Sequence, residues 1–216
     1  MKKLFFTTLL SILSVSIFSQ TIEQLFSMFA SDGCSKLEVL DEDEWKFAKY
    51  VFSRIDPLFY DMDKTEQIKD SVNSTWFNKV FTYNDNGYSL DFEKVKAEAS
   101  KVNHTDIPQV NEFIFIGMKM PILEKAKSIS SLEMNNCNIE LKDKFWQEIE
   151  AIKPFYEILV GQQSDKDKNL IMKSKQEEPF PEIIIAAQND DSSINLLRLQ
   201  GTFHLSDITP PEEYNE

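Results

Sequence analysis

Residues 181–205 read PEIIIAAQNDDSSINLLRLQGTFHL, two apolar runs on either side of a polar, acidic link. No other stretch limits the fold as strongly. Short runs of Ile and Leu broken by an Asn/Asp/Ser cluster read as two strands of a hairpin. Side chains alternate along a strand. In the last run Leu197, Leu199, Phe203 and Leu205 therefore share one face, and Ile194, Leu196, Arg198, Gln200, Thr202 and His204 share the other. One face is apolar and the other is polar beyond Leu196, the pattern of an antiparallel sheet covered on one side. The apolar face is expected to form the floor of the core, beneath helices at 42–56 and 140–152.

The same reading extends upstream. Strands at about 155–163 and 168–175, joined by QSDKDKN, precede strands at 182–188 and 194–205. Before them, Leu141, Phe145, Ile149 and Ile152 mark the inner face of a helix from Glu140 to Ile152 that Pro154 ends. SISSLEM, from Ser128, reads as a short strand. NEFIFIGMKM, 111–120, reads as another, closed by Pro121 and followed by a short helix or loop. Toward the amino end, Ile22, Leu25, Phe26 and Phe29 lie on one face of a helix over 21–30. Asp32-Gly33 stops it, and CSKLEVL, 34–40, is a strand. DEDE, 41–44, then opens a helix whose stripe is Trp45, Ala48, Phe52, Ile55 and Phe59, kinked or ended by Pro57. Between 63 and 112, helices are expected around Ile68–Val80 and from Asp91 onward, with TYNDNGYS as a turn between them. The expected architecture is α+β: one domain over 20–209, an antiparallel sheet with helices packed on one face, plus a mostly helical insertion at about 63–127. PPEEYNE, 210–216, is an acidic tail.

Lys2 and Lys3 followed by the apolar run Leu4–Ile17, with Ser19 before Gln20, read as a secretory signal ending at residue 19. The run is short for a membrane span, which needs about 20 apolar residues. The first cysteine is Cys34, so no lipid-anchor cysteine stands at the cut. The expectation is an exported protein, periplasmic or secreted, and not a lipoprotein. Taking 19 residues and two lysines from 216 residues at a net charge of −13 leaves 197 residues at −15. That surplus repels phosphate backbones and anionic headgroups, so neither nucleic acid nor membrane is an expected partner. Cys34 and Cys137 are the two cysteines. An oxidising compartment permits a bridge between them, and two buried free thiols are the alternative.

The catalytic kit is sparse. A histidine base must be His104 or His204, and His204 falls on the polar face of a strand. G-x-S-x-G, C-x-x-C and H-E-x-x-H are all absent, and five glycines leave little material for a phosphate-cradling loop. DEDE, 41–44, is the densest carboxylate cluster, but acids at a helix start are stabilised by the helix dipole without any catalytic role. TYNDNGYSLDFE, 82–93, is a candidate calcium loop with Asn84 third, Asn86 fifth, Gly87 sixth and Glu93 twelfth. Thr82 stands where the first-position Asp belongs, and Leu90 occupies the ninth place, so the loop is short of anionic ligands. Asn86-Gly87 is equally a turn pair, the favoured reading, and no cofactor is expected. Asp70-Ser71-Val72 fits a short glycan-acceptor pattern on Ser71. Phe77, Phe81, Tyr83 and Tyr88 cluster in the insertion and are candidates for an exposed interaction surface.

Tyr156-Glu157-Ile158-Leu159, Glu182-Ile183-Ile184-Ile185, and Leu197-Arg198 with Gly201 and Asp207-Ile208 recur in one family in this order after a helix. FASDGCSKLEVL followed by a helix suits that family's opening. Over about 21–60 and 128–209 the chain resembles the domain-of-unknown-function 4252 family, small exported proteins of Bacteroidetes-type bacteria. Residues 63–127 are an insertion relative to its pattern. The resemblance implies an exported α+β domain and carries over no active site. The expected function is a non-enzymatic binding or interaction module of the cell envelope, with a protein or other envelope component as its partner and residues 63–112 as its contact surface. The alternative is an envelope hydrolase or carbohydrate-active protein working through paired carboxylates brought together by the fold.

Overall fold

The alternating carboxyl-terminal third folds as four consecutive antiparallel strands. In the computed structural model, residues 22–53, 80–84, 87–108, 114–115, 118–119, 121–163, 168–188 and 193–208 are described. Helix α1 covers 22–30. It is followed by β1 (Ser35–Leu40), α2 (Glu42–Ser53), β2 (Phe81–Asn84), β3 (Gly87–Leu90) and α3 (Phe92–Ala99). Then come β4 (Ile114–Phe115), β5 (Met118–Lys119), α4 (Pro121–Lys125), β6 (Ala126–Met134) and α5 (Ile139–Ile152). The last four strands are β7 (Tyr156–Gln163), β8 (Lys168–Ser174), β9 (Phe180–Gln188) and β10 (Ile194–Phe203). Six strands form one antiparallel sheet in the order β1-β6-β10-β9-β8-β7, and β2–β3 and β4–β5 are separate pairs. The fold is α+β.

The chain groups into two compact units. The first holds α1, α5, β7, β8 and the stretches Ser35–Leu37, Ser131–Met134, Ile183–Gln188 and Ile194–Arg198 of β1, β6, β9 and β10. Its core joins Ile22, Leu25, Phe26 and Phe29 of α1 to Phe145, Ile149 and Ile152 of α5. The strands supply Leu132 and Met134, Leu170 and Met172, Ile184 and Ala186, and Ile194 and Leu196. Within each strand these residues are two apart, so each contributes one face. Phe29 and Phe145 meet edge to face at 5.4 Å. Asn138 caps α5, its side chain accepting from the Leu141 N–H at 2.8 Å. Cys34 and Cys137 are bonded, with Cα atoms 5.3 Å apart, tying the start of β1 to the approach to α5.

The second unit holds α2, α3, α4, the two small strand pairs and the remaining strand stretches. DEDE works as a capping box: the Asp41 carboxylate accepts from the Glu44 N–H at 2.9 Å, and Glu44 accepts from the Asp41 N–H at 3.0 Å. Trp45, Phe47, Ala48 and Val51 of α2 are buried. This stripe is wider than the one expected, which lacked Phe47 and Val51. Phe52 side-chain placement, Ile55, Pro57 and Phe59 lie outside the described residues, as do Ile68 to Trp76 and Ser71. Helix α3 starts where expected, with Asp91 as its cap and Phe92, Val95 and Ala99 buried.

Two expectations are corrected. The floor proposed from Leu197, Leu199, Phe203 and Leu205 does not lie beneath α5. That helix shares its core with Ile194 and Leu196, which have the opposite parity. Leu197 is half-buried and Leu205 is 44% exposed, in a short 3-10 turn beyond the strand. Leu199 and Phe203 are fully buried in the second unit, where Phe203 meets the Phe180 ring at 6.1 Å. The apolar residues of β10 change parity along its length, so a single-face assignment fails. NEFIFIGMKM is likewise not one strand. Phe115 pairs with Met118 and Ile114 with Lys119, so only Ile116 and Gly117 separate paired residues. A two-residue link containing glycine is the signature of a hairpin.

Candidate functional site

Along α5, one turn aside from the buried stripe, Asp143, Trp146, Gln147 and Glu150 follow each other at spacings of three, one and three. They form one wall of a cleft of about 410 Å³. Ile158 and Gly161 of β7 and Lys168, Asn169 and Leu170 of β8 complete the lining. β7, the outer strand of the sheet, carries no side chain at 161, where it lines the cleft. Gly161 pairs with Leu170. A Cβ placed there would meet Ile158 Cγ2 at 3.5 Å and Leu170 Cδ1 at 3.9 Å, ordinary contact distances, and Gly161 itself is exposed. A shift of register between Ile158 and Val160 bends β7 at this point, and both residues stay nearly half exposed.

Trp146 is held from three sides. Its Nε1 donates to Gln188 Oε1 at 2.8 Å. Its ring packs edge to face on Phe145 at 5.4 Å. The Lys168 ammonium lies 5.2 Å from the ring centroid, within cation–π range. Glu150 is paired with Lys153. Among the described lining residues two acids and two lysines therefore cancel around an indole, two apolar residues and two amides. Such a lining suits a ligand without net charge that offers an apolar face and several hydrogen-bonding groups.

The residues singled out in the sequence lie elsewhere. Asn84 is in β2, paired with Gly87, and Glu93 is in the first turn of α3, 3.5 Å from Lys96 Nζ. Asn86 lies outside the described residues. The segment is thus a hairpin running into a capped helix, and Thr82 serves the cap: its hydroxyl donates to Asp91 Oδ2 at 2.7 Å. Burial pushes the Asp91 carboxyl up. The Thr82 hydroxyl, the Lys94 N–H and the Lys94 ammonium outweigh it and hold the group below its ordinary value. Among the described residues no group of three or more His, Cys, Asp and Glu is placed to hold a metal ion. Tyr83 pairs with Tyr88 and Phe81 with Leu90 in the hairpin backbone, while Phe77 lies outside the described residues. His204, half exposed, has Nδ1 3.4 Å from Glu178 Oε2. His104 sits in a 3-10 turn, where its carbonyl accepts from Lys46 Nζ at 3.1 Å.

Charged residues of the carboxyl third have structural tasks. Glu157 pairs across the strands with the buried Lys173 at 2.6 Å. Arg198, 7% exposed at its side chain, reaches Glu23 of α1 at 3.3 Å. Asp207 accepts from the His204 N–H at 2.8 Å and closes the final turn. Comparison with protein-family models, with curated proteins and with solved structures finds no match to this chain.

Proposed function

We propose that the protein is an exported, non-enzymatic binding module of the cell envelope, and that the cleft beside α5 is its ligand site. The observation that carries this reading is the cleft lined by exposed Gly161, by a Trp146 ring already fixed in place and by nearly half-exposed Ile158. A rigid aromatic with exposed aliphatic neighbours is the usual anchor of a recognition surface. Export rests on Lys2, Lys3 and the apolar run that follows them. The Cys34–Cys137 bond suits an oxidising compartment. Among the described residues no helix is long and apolar enough to cross a membrane. Membership of the domain-of-unknown-function 4252 family belongs to the same proposal.

Crosslinking in the native envelope, read by mass spectrometry, tests the module. Crosslinks to one partner that map to α5, β7 and β8 are expected. Crosslinks that map to the hairpin at 81–90 would move the contact surface to the insertion, and recovery of the protein only as a free monomer would overturn the reading. One observation favours the alternative: Asp143 and Glu150, two carboxylates, line the same cleft. Seven residues apart on a helix, their backbones lie about 10 Å from each other, and Glu150 is engaged by Lys153. Release of sugar from envelope glycans, abolished in Asp143→Asn, would favour that alternative over the module.

A further inference from the structure

The second unit carries a groove of about 300 Å³ with a different chemistry. Lys46 and Lys49 of α2, Lys125 and Lys127 where α4 meets β6, and Thr202 of β10 line it. In a chain with 36 acids against 23 Lys and Arg, four lysines converging on one groove call for a cause. None of the four forms an ion pair with a carboxylate among the described residues. Lys49 is half-buried and donates to the Glu124 carbonyl at 3.1 Å and the Ala126 carbonyl at 2.9 Å. Two carbonyls leave one of its three N–H groups for another acceptor. Burial lowers the Lys49 pKa from its ordinary value, against the pull of Glu124 and Glu42, which raise it. The helix-end carbonyls account for Lys49, and the His104 carbonyl accounts for part of Lys46. Neither accounts for Lys125 and Lys127, which stand exposed on the rim.

Glu42 and Glu124 share the lining, so among the described residues four ammonium groups and two carboxylates leave an excess of two positive charges. That excess matches a dianion. No arginine is among the described residues that line the groove. A planar carboxylate is better held by arginine forks, whereas compact ammonium groups suit the dense charge of a tetrahedral oxyanion. The net negative charge of the chain acts at long range and is screened beyond about 8 Å at physiological salt, so the groove's own charges decide binding there. We propose that this groove binds a phosphate dianion, free or carried as a monoester, through Lys46, Lys49, Lys125 and Lys127 with the Thr202 hydroxyl as a neutral partner. This site stands apart from the cleft beside α5, and either can fail alone.

The full chain is titrated by calorimetry with inorganic phosphate, with glycerol 3-phosphate, and with phosphatidylcholine vesicles carrying phosphatidic acid. Saturable binding that weakens with added salt is expected in at least one arm. Heat with inorganic phosphate alone assigns the dianion to free phosphate, heat with glycerol 3-phosphate to a soluble monoester, and heat with the vesicles alone to a lipid headgroup. The double variant Lys125→Gln, Lys127→Gln, changed only on the exposed rim, should keep its urea midpoint and lose roughly tenfold or more in affinity. Glu42→Gln should bind more tightly than the wild type. No heat in any arm, or an affinity unchanged in the double variant, overturns the proposal.

Discussion

Gly201, three residues beyond Arg198 in β10, is the position where the smallest substitution should do the most damage. A Cβ there would lie 2.3 Å from the Lys125 carbonyl oxygen, 2.8 Å from the Phe203 ring and 3.1 Å from the Ala126 Cα. Two of the three atoms are backbone, and Phe203 is fully buried, so none can step aside cheaply. Overpacking typically costs about 1–3 kcal/mol, and contact with backbone places Gly201→Ala at the upper end or beyond. Stiffening the unfolded chain returns about 0.5–1 kcal/mol, leaving a net loss of about 2 kcal/mol. At a urea slope of about 2 kcal/mol/M, the unfolding midpoint should fall by about 1 M with the slope unchanged. Gly161→Ala is the control, because its new Cβ meets nothing closer than 3.5 Å. Its midpoint should stay the same or rise slightly. Equal midpoints for Gly201→Ala and wild type would refute the close approach of β10 to the α4–β6 junction.

Two further outcomes follow from the core and the caps. Leu199→Asp buries a charge at a fully buried position and should leave the protein unfolded or strongly destabilised, read as loss of a cooperative melt. Asp91 has a folded-state pKa held below its unfolded value, so its contribution is present above the ordinary carboxylate pKa and is lost as pH falls through the lowered value. Wild type should therefore lose stability toward strongly acidic pH more steeply than Asp91→Asn, compared by urea midpoints across an acid pH series; parallel curves would sink this.

Helix periodicity was the most readable signal. Ile22, Leu25, Phe26 and Phe29 on α1 and Phe145, Ile149 and Ile152 on α5 are buried as their spacing requires. Asp91 and the DEDE cluster cap helices because acids at a first turn accept from free N–H groups. The strands at 156–163, 168–174 and 180–188 were found because polar links punctuate them. Faces were harder. In β10 the pattern Ile194, Leu196, Arg198 overlaps Leu199 and Phe203, and local alternation says nothing of which parity meets which neighbour. Arg198 looked like a polar-face residue and is buried because Glu23 supplies its counter-charge from a helix 175 residues away in sequence.

The cleft left almost no trace in the sequence. Its defining feature is a missing side chain at Gly161, and its wall is the stripe beside α5's buried one, which reads as an ordinary solvated face. Lys168 and Trp146 come together only through β8 pairing. The lysine groove is hidden for the same reason, since Lys46, Lys49, Lys125 and Lys127 are scattered single residues until the second unit gathers them.

Gly161→Leu addresses the cleft beside α5 directly, since Gly161 lines it. The variant fills the cleft from a position where a Cβ is tolerated, so the fold should persist with an unchanged far-ultraviolet circular dichroism spectrum. Native-envelope crosslinking of the two proteins side by side should then yield the α5, β7 and β8 crosslinks in wild type and lose them in Gly161→Leu. A folded variant that captures the same partner at the same sites and in the same yield would contradict the claim that this cleft is where the protein binds.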